Sequence, residues 1–106
     1  MGVQIPPGAP SQTLFVDSHV RNYIQLRVDR LEKLLAAARN NPSGLSFKDF
    51  DALLRQARWK FDRQKGSHQI WYSPKNSLIS IQPRDGKAKG YQVKQFLDVY
   101  DRESND

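Results

Sequence analysis

From residue 18 to residue 39 the apolar positions are Val20, Ile24, Val28, Leu31, Leu35 and Ala38. Steps of three and four predict an amphipathic helix, with Arg21, Arg27, Asp29, Arg30, Glu32 and Lys33 on its polar face. Asn40-Asn41-Pro42-Ser43-Gly44 stops it. Ser46 and Asp49 have the spacing of a capping box, and Phe47, Phe50, Leu53, Leu54 and Ala57 make one stripe, which predicts a second helix over 47–57. The period then drops to two. Residues 58–63 alternate, with Trp59 and Phe61 on one side and Arg58, Lys60 and Asp62 on the other. Gln64-Lys65-Gly66 reads as a turn, 67–72 as a strand rich in β-formers, and 73–77 as a second turn. Residues 78–82 alternate again through Ile79 and Ile81, and Pro83 ends that strand because it cannot donate to the ladder. Residues 83–90 read as a basic loop. Val93, Phe96, Leu97 and Tyr100 predict a last helix over 91–101.

The order is α–α–β–β–β–α. Turns this short allow only antiparallel pairing, so the expected fold is α+β, with helices covering one face of a three-stranded antiparallel sheet. Residues 1–17 form a leader with three prolines and no period, read as disordered. Gly2-Val3-Gln4-Ile5-Pro6 can be encoded by the T-arm sequence of a tRNA gene. Two readings of the leader stand open: a genuine flexible segment, or a start placed too early, with the true one near Val16 or Val20. The expected organisation is leader 1–17, extra helix 18–41, domain 46–101 and polar tail 102–106.

Composition narrows the chemistry. With no cysteine, disulfide frameworks, thiolate zinc sites and Cys nucleophiles are excluded. No apolar run is long enough to span a bilayer, and residues 1–15 lack a secretory signal, so the default location is cytoplasmic and no membrane partner is expected. The net charge is +6. Between residues 58 and 94 stand nine Lys/Arg against two Asp, so the excess is concentrated on the expected sheet. That favours an anionic partner such as nucleic acid, although a solvated basic face is the plain alternative.

His19 lies beside the leader and reads as incidental. His68 opens the middle strand after Lys65-Gly66-Ser67, inside the basic block, where a glycine lets a large ligand approach the backbone. It reads either as a catalytic residue or as a half-buried strand histidine. Lys87 and Lys89 flank the start of the last helix, either as an anion site or as a solvated loop. Trp59, Trp71 and Tyr72 could stack on bases but are assigned to packing. No phosphate-binding glycine loop and no metal-ligand spacing occurs, so neither metal nor cofactor is expected.

Three segments carry a resemblance: Phe50-x-x-Leu53-Leu54, the run from Arg63 through Lys65-Gly66-Ser67-His68 to Trp71, and Gly86-Lys87-Ala88-Lys89-Gly90-Tyr91-Gln92-Val93 with Phe96-Leu97. Over about residues 46–98 the chain resembles the HicA family of toxins. The resemblance implies an α-β-β-β-α domain like the double-stranded-RNA-binding domain, here with an extra N-terminal helix, and an endoribonuclease that cleaves mRNA. It further implies a HicB-like antitoxin that blocks the active site, with His68 at the family's catalytic position and Gly66 at its glycine. Gly90 stands where many members of one subgroup carry proline.

The chemistry agrees with that implication. RNA brings its own nucleophile, the 2′-OH, so a histidine base and nearby cations can suffice. Lys65, Gly66, Ser67, Lys87 and Lys89 are the expected RNA-binding residues. The proton donor to the leaving oxygen stays open among a lysine, Tyr91, water and His68 itself. The alternative function is a non-catalytic RNA-binding module on the same fold.

Overall fold

The computed structural model describes residues 16–105, with side chains from residue 28 onward. The expected leader, apart from residues 16 and 17, and the side chains of His19, Val20 and Ile24 lie outside the described residues. The chain divides into two units, Met1–Arg30 and Leu31–Asp106. Within the first, residues 16–30 are helical; they begin α1, Val16–Asn40. The elements that follow are a 3-10 turn (Pro42–Gly44), α2 (Phe47–Gln56), β1 (Lys60–Lys65), β2 (His68–Tyr72), β3 (Leu78–Ile81), a two-stranded hairpin of β4 (Pro83–Arg84) and β5 (Lys87–Ala88), and α3 (Gly90–Ser104).

The second unit is α+β with the expected α-β-β-β-α order. Its sheet runs β1-β2-β3, antiparallel throughout. One face carries Phe61, Trp71 and Ile79 side by side, and this face meets the helices. Trp71, Phe50, Phe96, Leu53, Leu54, Ile79, Ile81 and Val93 are fully buried. Phe96 is the hub: it meets Phe50 edge-on at 5.9 Å, Trp59 at 5.1 Å and Tyr100 at 5.8 Å between ring centroids. From α1, Leu35 and Ala38 are buried in this core, and Leu31 and Leu34 pack against it. Val28, expected on the packed face, is 44% exposed. Arg39 of α1 also holds Asp101 of α3 through two hydrogen bonds of 2.7 and 3.0 Å.

Four boundaries depart from the periodicity, each for a local reason. Arg58 and Trp59 belong to the end of α2, not to a strand. The Trp59 N–H donates to Leu54 O, the Arg58 N–H donates to Arg55 O, and Arg58 has φ +70°. This is a Schellman motif with arginine in the left-handed position usually held by glycine. Trp59 is therefore buried as the residue that closes the helix cap, and β1 starts at Lys60.

The first hairpin turns on Gly66-Ser67 alone, leaving Lys65 paired with His68. Gly66 has φ +62°, and a side chain there would meet nothing within 4 Å. Its glycine answers to the handedness of the turn rather than to close packing.

Residues 83–90, expected as a loop, form the β4–β5 hairpin. Asp85 (φ +52°) and Gly86 (φ +78°) supply the two left-handed positions of a type I′ turn. The hairpin is clamped to the start of α2 by Phe47 N–H to Gly86 O and Ala88 N–H to Leu45 O, both 2.9 Å. Finally, α3 runs on to Ser104, three residues past its expected end. Glu103 on that last turn accepts a 2.5 Å hydrogen bond from the Ser73 hydroxyl, which ties the helix end to the β2–β3 turn.

Candidate functional site

Alternation along β2 sends Trp71 into the core and leaves His68, Ile70 and Tyr72 on the opposite face of the sheet. Register adds their neighbours. Lys60, Tyr72 and Leu78 form one row across the sheet, Arg63, Ile70 and Ser80 the next, and Lys65 with His68 the last. His68 is exposed, and its Nδ1 lies 3.1 Å from the Ser80 hydroxyl. With Ser80 accepting, Nδ1 carries the proton and Nε2 keeps its lone pair for a ligand. The half-buried strand histidine is therefore not what the fold contains.

The other expected residues divide into two groups. Lys65 is the register partner of His68. Ser67, in the turn, accepts from Gln82 Nε2 at 2.8 Å, and Lys89 donates to Gln82 Oε1 at 2.7 Å. Gln82 thus ties the turn before His68 to the start of α3. Its own backbone N–H is held by Gln92 Oε1 at 2.9 Å; Gln92 is almost fully buried, and its Nε2 donates to the Tyr91 hydroxyl. Lys87 stands apart from this chain of contacts. With Arg84, Lys89 and Tyr91 it lines a surface depression at the small hairpin and the head of α3. That helix start has Lys89 as N-cap, with no side-chain cap and no acidic residue in its first turn, so the positive end of the helix adds to the lysines. Gly90 lies so close to Ser43 that a Cβ would collide with its hydroxyl.

Sequence reasoning missed Ser80, Gln82, Gln92 and Arg63. Of the aromatics expected to pack, Trp59 and Trp71 are core residues, whereas Tyr72 is half-buried on the open face. No periodicity signals Gln82 or Ser80; only register brings them to Ser67 and His68.

Among the described residues no three His, Cys, Asp or Glu cluster so as to hold a metal, and no helix is long and apolar enough to cross a membrane. What the arrangement offers is an imidazole with one nitrogen engaged by Ser80 and with Lys65 as its register partner, exposed on the sheet face that the helices leave open. No curated protein and no solved structure matches the chain. Residues 47–99 match the family model described as the HicA toxin of bacterial toxin–antitoxin systems. That span holds α2, the sheet, the small hairpin, most of α3 and every residue expected to bind or cut, so the chain belongs to the HicA family and is the toxin of a toxin–antitoxin system.

Proposed function

We propose that this toxin is an endoribonuclease that cleaves mRNA in the cytoplasm without a metal, with His68 as general base. We further propose that a HicB-like antitoxin silences it by covering the same face. The observation that carries the reading is the setting of His68: exposed, tethered through Nδ1 to Ser80, and facing Lys65 across the hairpin. In this scheme Nε2 takes the proton of a ribose 2′-OH. The 2′ oxygen bonds to the adjacent phosphorus, and the bond from phosphorus to the 5′ oxygen breaks. Lys65 stabilises the negative charge that builds on the phosphoryl oxygens. The face is open to water, which returns a proton to the departing 5′ oxygen. Lys87 and Lys89 hold phosphates further along the RNA, at the head of α3.

The test is cleavage of a single-stranded RNA by the purified chain in EDTA, beside the same RNA with 2′-deoxyribose at the mapped cut site. The proposal expects EDTA to change nothing and the deoxy substitution to abolish the cut. Binding of both substrates with cleavage of neither would make the chain an RNA-binding module and overturn the catalytic reading.

A further inference from the structure

On β1 three cations share one face of the sheet, and of these only Lys65 has a part in the reaction proposed above. Simple alternation from Lys60 would put Lys60, Asp62 and Gln64 on one side of β1 and Phe61, Arg63 and Lys65 on the other. The structure does otherwise. The register shifts between Phe61 and Arg63, leaving Asp62 without a partner on β2. This β-bulge flips the second half of the strand. Phe61 stays on the core side against Trp71, at 5.6 Å between ring centroids. Lys60, Arg63 and Lys65 all come to the open face with His68.

The consequence is a row of three cations along the outer strand, every residue of which is exposed. Arg63 and Lys65 stand two residues apart, about 7 Å along the strand. Arg63 is paired with Asp62, its neighbour in the bulge, and both are exposed. A guanidinium carries five N–H donors, so this one keeps others for a second acceptor. Beside the ridge the row of Lys60 continues through half-buried Tyr72 to Leu78, 49% exposed. The face thus places charge along one edge and flat apolar surface next to it, the two surfaces a single strand of nucleic acid requires for its phosphates and bases.

We infer that the bulge-built ridge Lys60–Arg63–Lys65 is the track for the backbone of single-stranded RNA, leading one phosphate to Lys65 and His68 while flanking bases lie over Tyr72 and Leu78. The occupant is chosen by charge complementarity: three cations on one edge match a polyanion with regularly spaced charges. The ridge rests on the ribonuclease reading for its direction toward His68, but its binding is measurable without any cleavage.

The experiment uses the full chain and a labelled single-stranded RNA that is 2′-O-methylated throughout, so that nothing can be cut. Affinity is measured by fluorescence anisotropy over a salt series for wild type, Lys60→Ala/Arg63→Ala, and Lys48→Ala on α2 as a control for general charge. Losing two phosphate contacts should flatten the slope of log K against log salt by about 1.4, at about 0.7 per single-strand phosphate. The Lys48→Ala slope should equal that of the wild type. On cleavable RNA the double variant should show a raised KM and an unchanged kcat. A double-variant slope equal to that of wild type overturns the ridge, as does an equal loss in Lys48→Ala. So does a double variant that keeps RNA affinity and loses only an acidic protein partner. A flattened slope in a chain that cuts no RNA at all upholds the ridge and overturns the ribonuclease reading alone.

Discussion

Gly66 offers a sharp way to separate turn chemistry from ligand access. Its φ of +62° lies in the left-handed region, and a Cβ built on it meets no heavy atom within 4 Å. Gly66→Ala therefore introduces no clash, only conformational strain, which costs about 1–2 kcal/mol for an L-residue. The alanine also narrows the unfolded ensemble and returns about 0.4–1 kcal/mol. The net expectation is a loss of up to about 1.6 kcal/mol. For a domain of this size that is a fall in Tm of up to about 13 °C.

A D-alanine at position 66, introduced by chemical ligation, adopts positive φ without strain. It should keep the entropic gain and be more stable than wild type by about 0.4–1 kcal/mol. Both stabilities can be read from urea unfolding followed by the fluorescence of buried Trp59 and Trp71. If the L-alanine variant is as stable as the D-alanine variant, the turn does not demand positive φ at this position and glycine has no steric reason there. If the D-alanine variant folds well but no longer binds RNA, the glycine serves the ligand's approach, as the sequence suggested, and not the turn.

Other expectations follow from single contacts. Arg58→Gly should stabilise the chain by up to about 1.6 kcal/mol in the same urea assay, because it relieves the left-handed arginine of the α2 cap at the cost of a more flexible unfolded state. The Arg39 guanidinium, chiefly through its hydrogen bonds and then through its charge, holds the Asp101 carboxyl below its ordinary value. The folded state thus binds that proton less readily than the unfolded chain. The stabilisation is fully present above the ordinary carboxylate range and is lost as pH falls through the lowered value. The pair is about half exposed, so Asp101→Asn should cost no more than about 0.2–1 kcal/mol at pH 7, and urea unfolding should show the difference shrinking only in acid. Ser80→Ala should lower kcat more than it raises KM, by freeing the His68 ring, with Ser80→Thr restoring the rate; NMR of the His68 ring nitrogens should show mixed tautomers in the alanine variant alone.

Much of this fold is legible in the chain because burial imposes periods. The stripes of α2 and α3 and the alternation of Ile79 and Ile81 reappear as buried faces. What escapes is set by backbone handedness. Trp59 and Phe61 look like one strand face, but the left-handed Arg58 makes Trp59 part of a helix cap. The β4–β5 hairpin carries a recognisable sign, Asp85-Gly86, hidden in a stretch that reads as basic loop. The bulge at Asp62 has no such sign, and the placing of Arg63 and Lys65 on the same face as Lys60 depends on it. The same holds for the candidate site. Lys65-Gly66-Ser67-His68 is visible as a motif, whereas the contacts of His68 with Ser80, of Ser67 with Gln82 and of Gln82 with Lys89 join residues that only the folded sheet and the head of α3 bring together.

In the proposed mechanism His68 does the chemistry while the sheet face around it does the binding. The most direct measurement compares wild type and His68→Ala for RNA cleavage in vitro, with stability and affinity for uncleavable RNA measured on the same preparations. His68 is exposed and outside the hydrophobic core, so its loss should move stability by no more than about 1 kcal/mol and leave affinity nearly unchanged. Cleavage should fall to background. A His68→Ala protein that is folded, binds RNA and still cuts it at the wild-type rate would contradict the account.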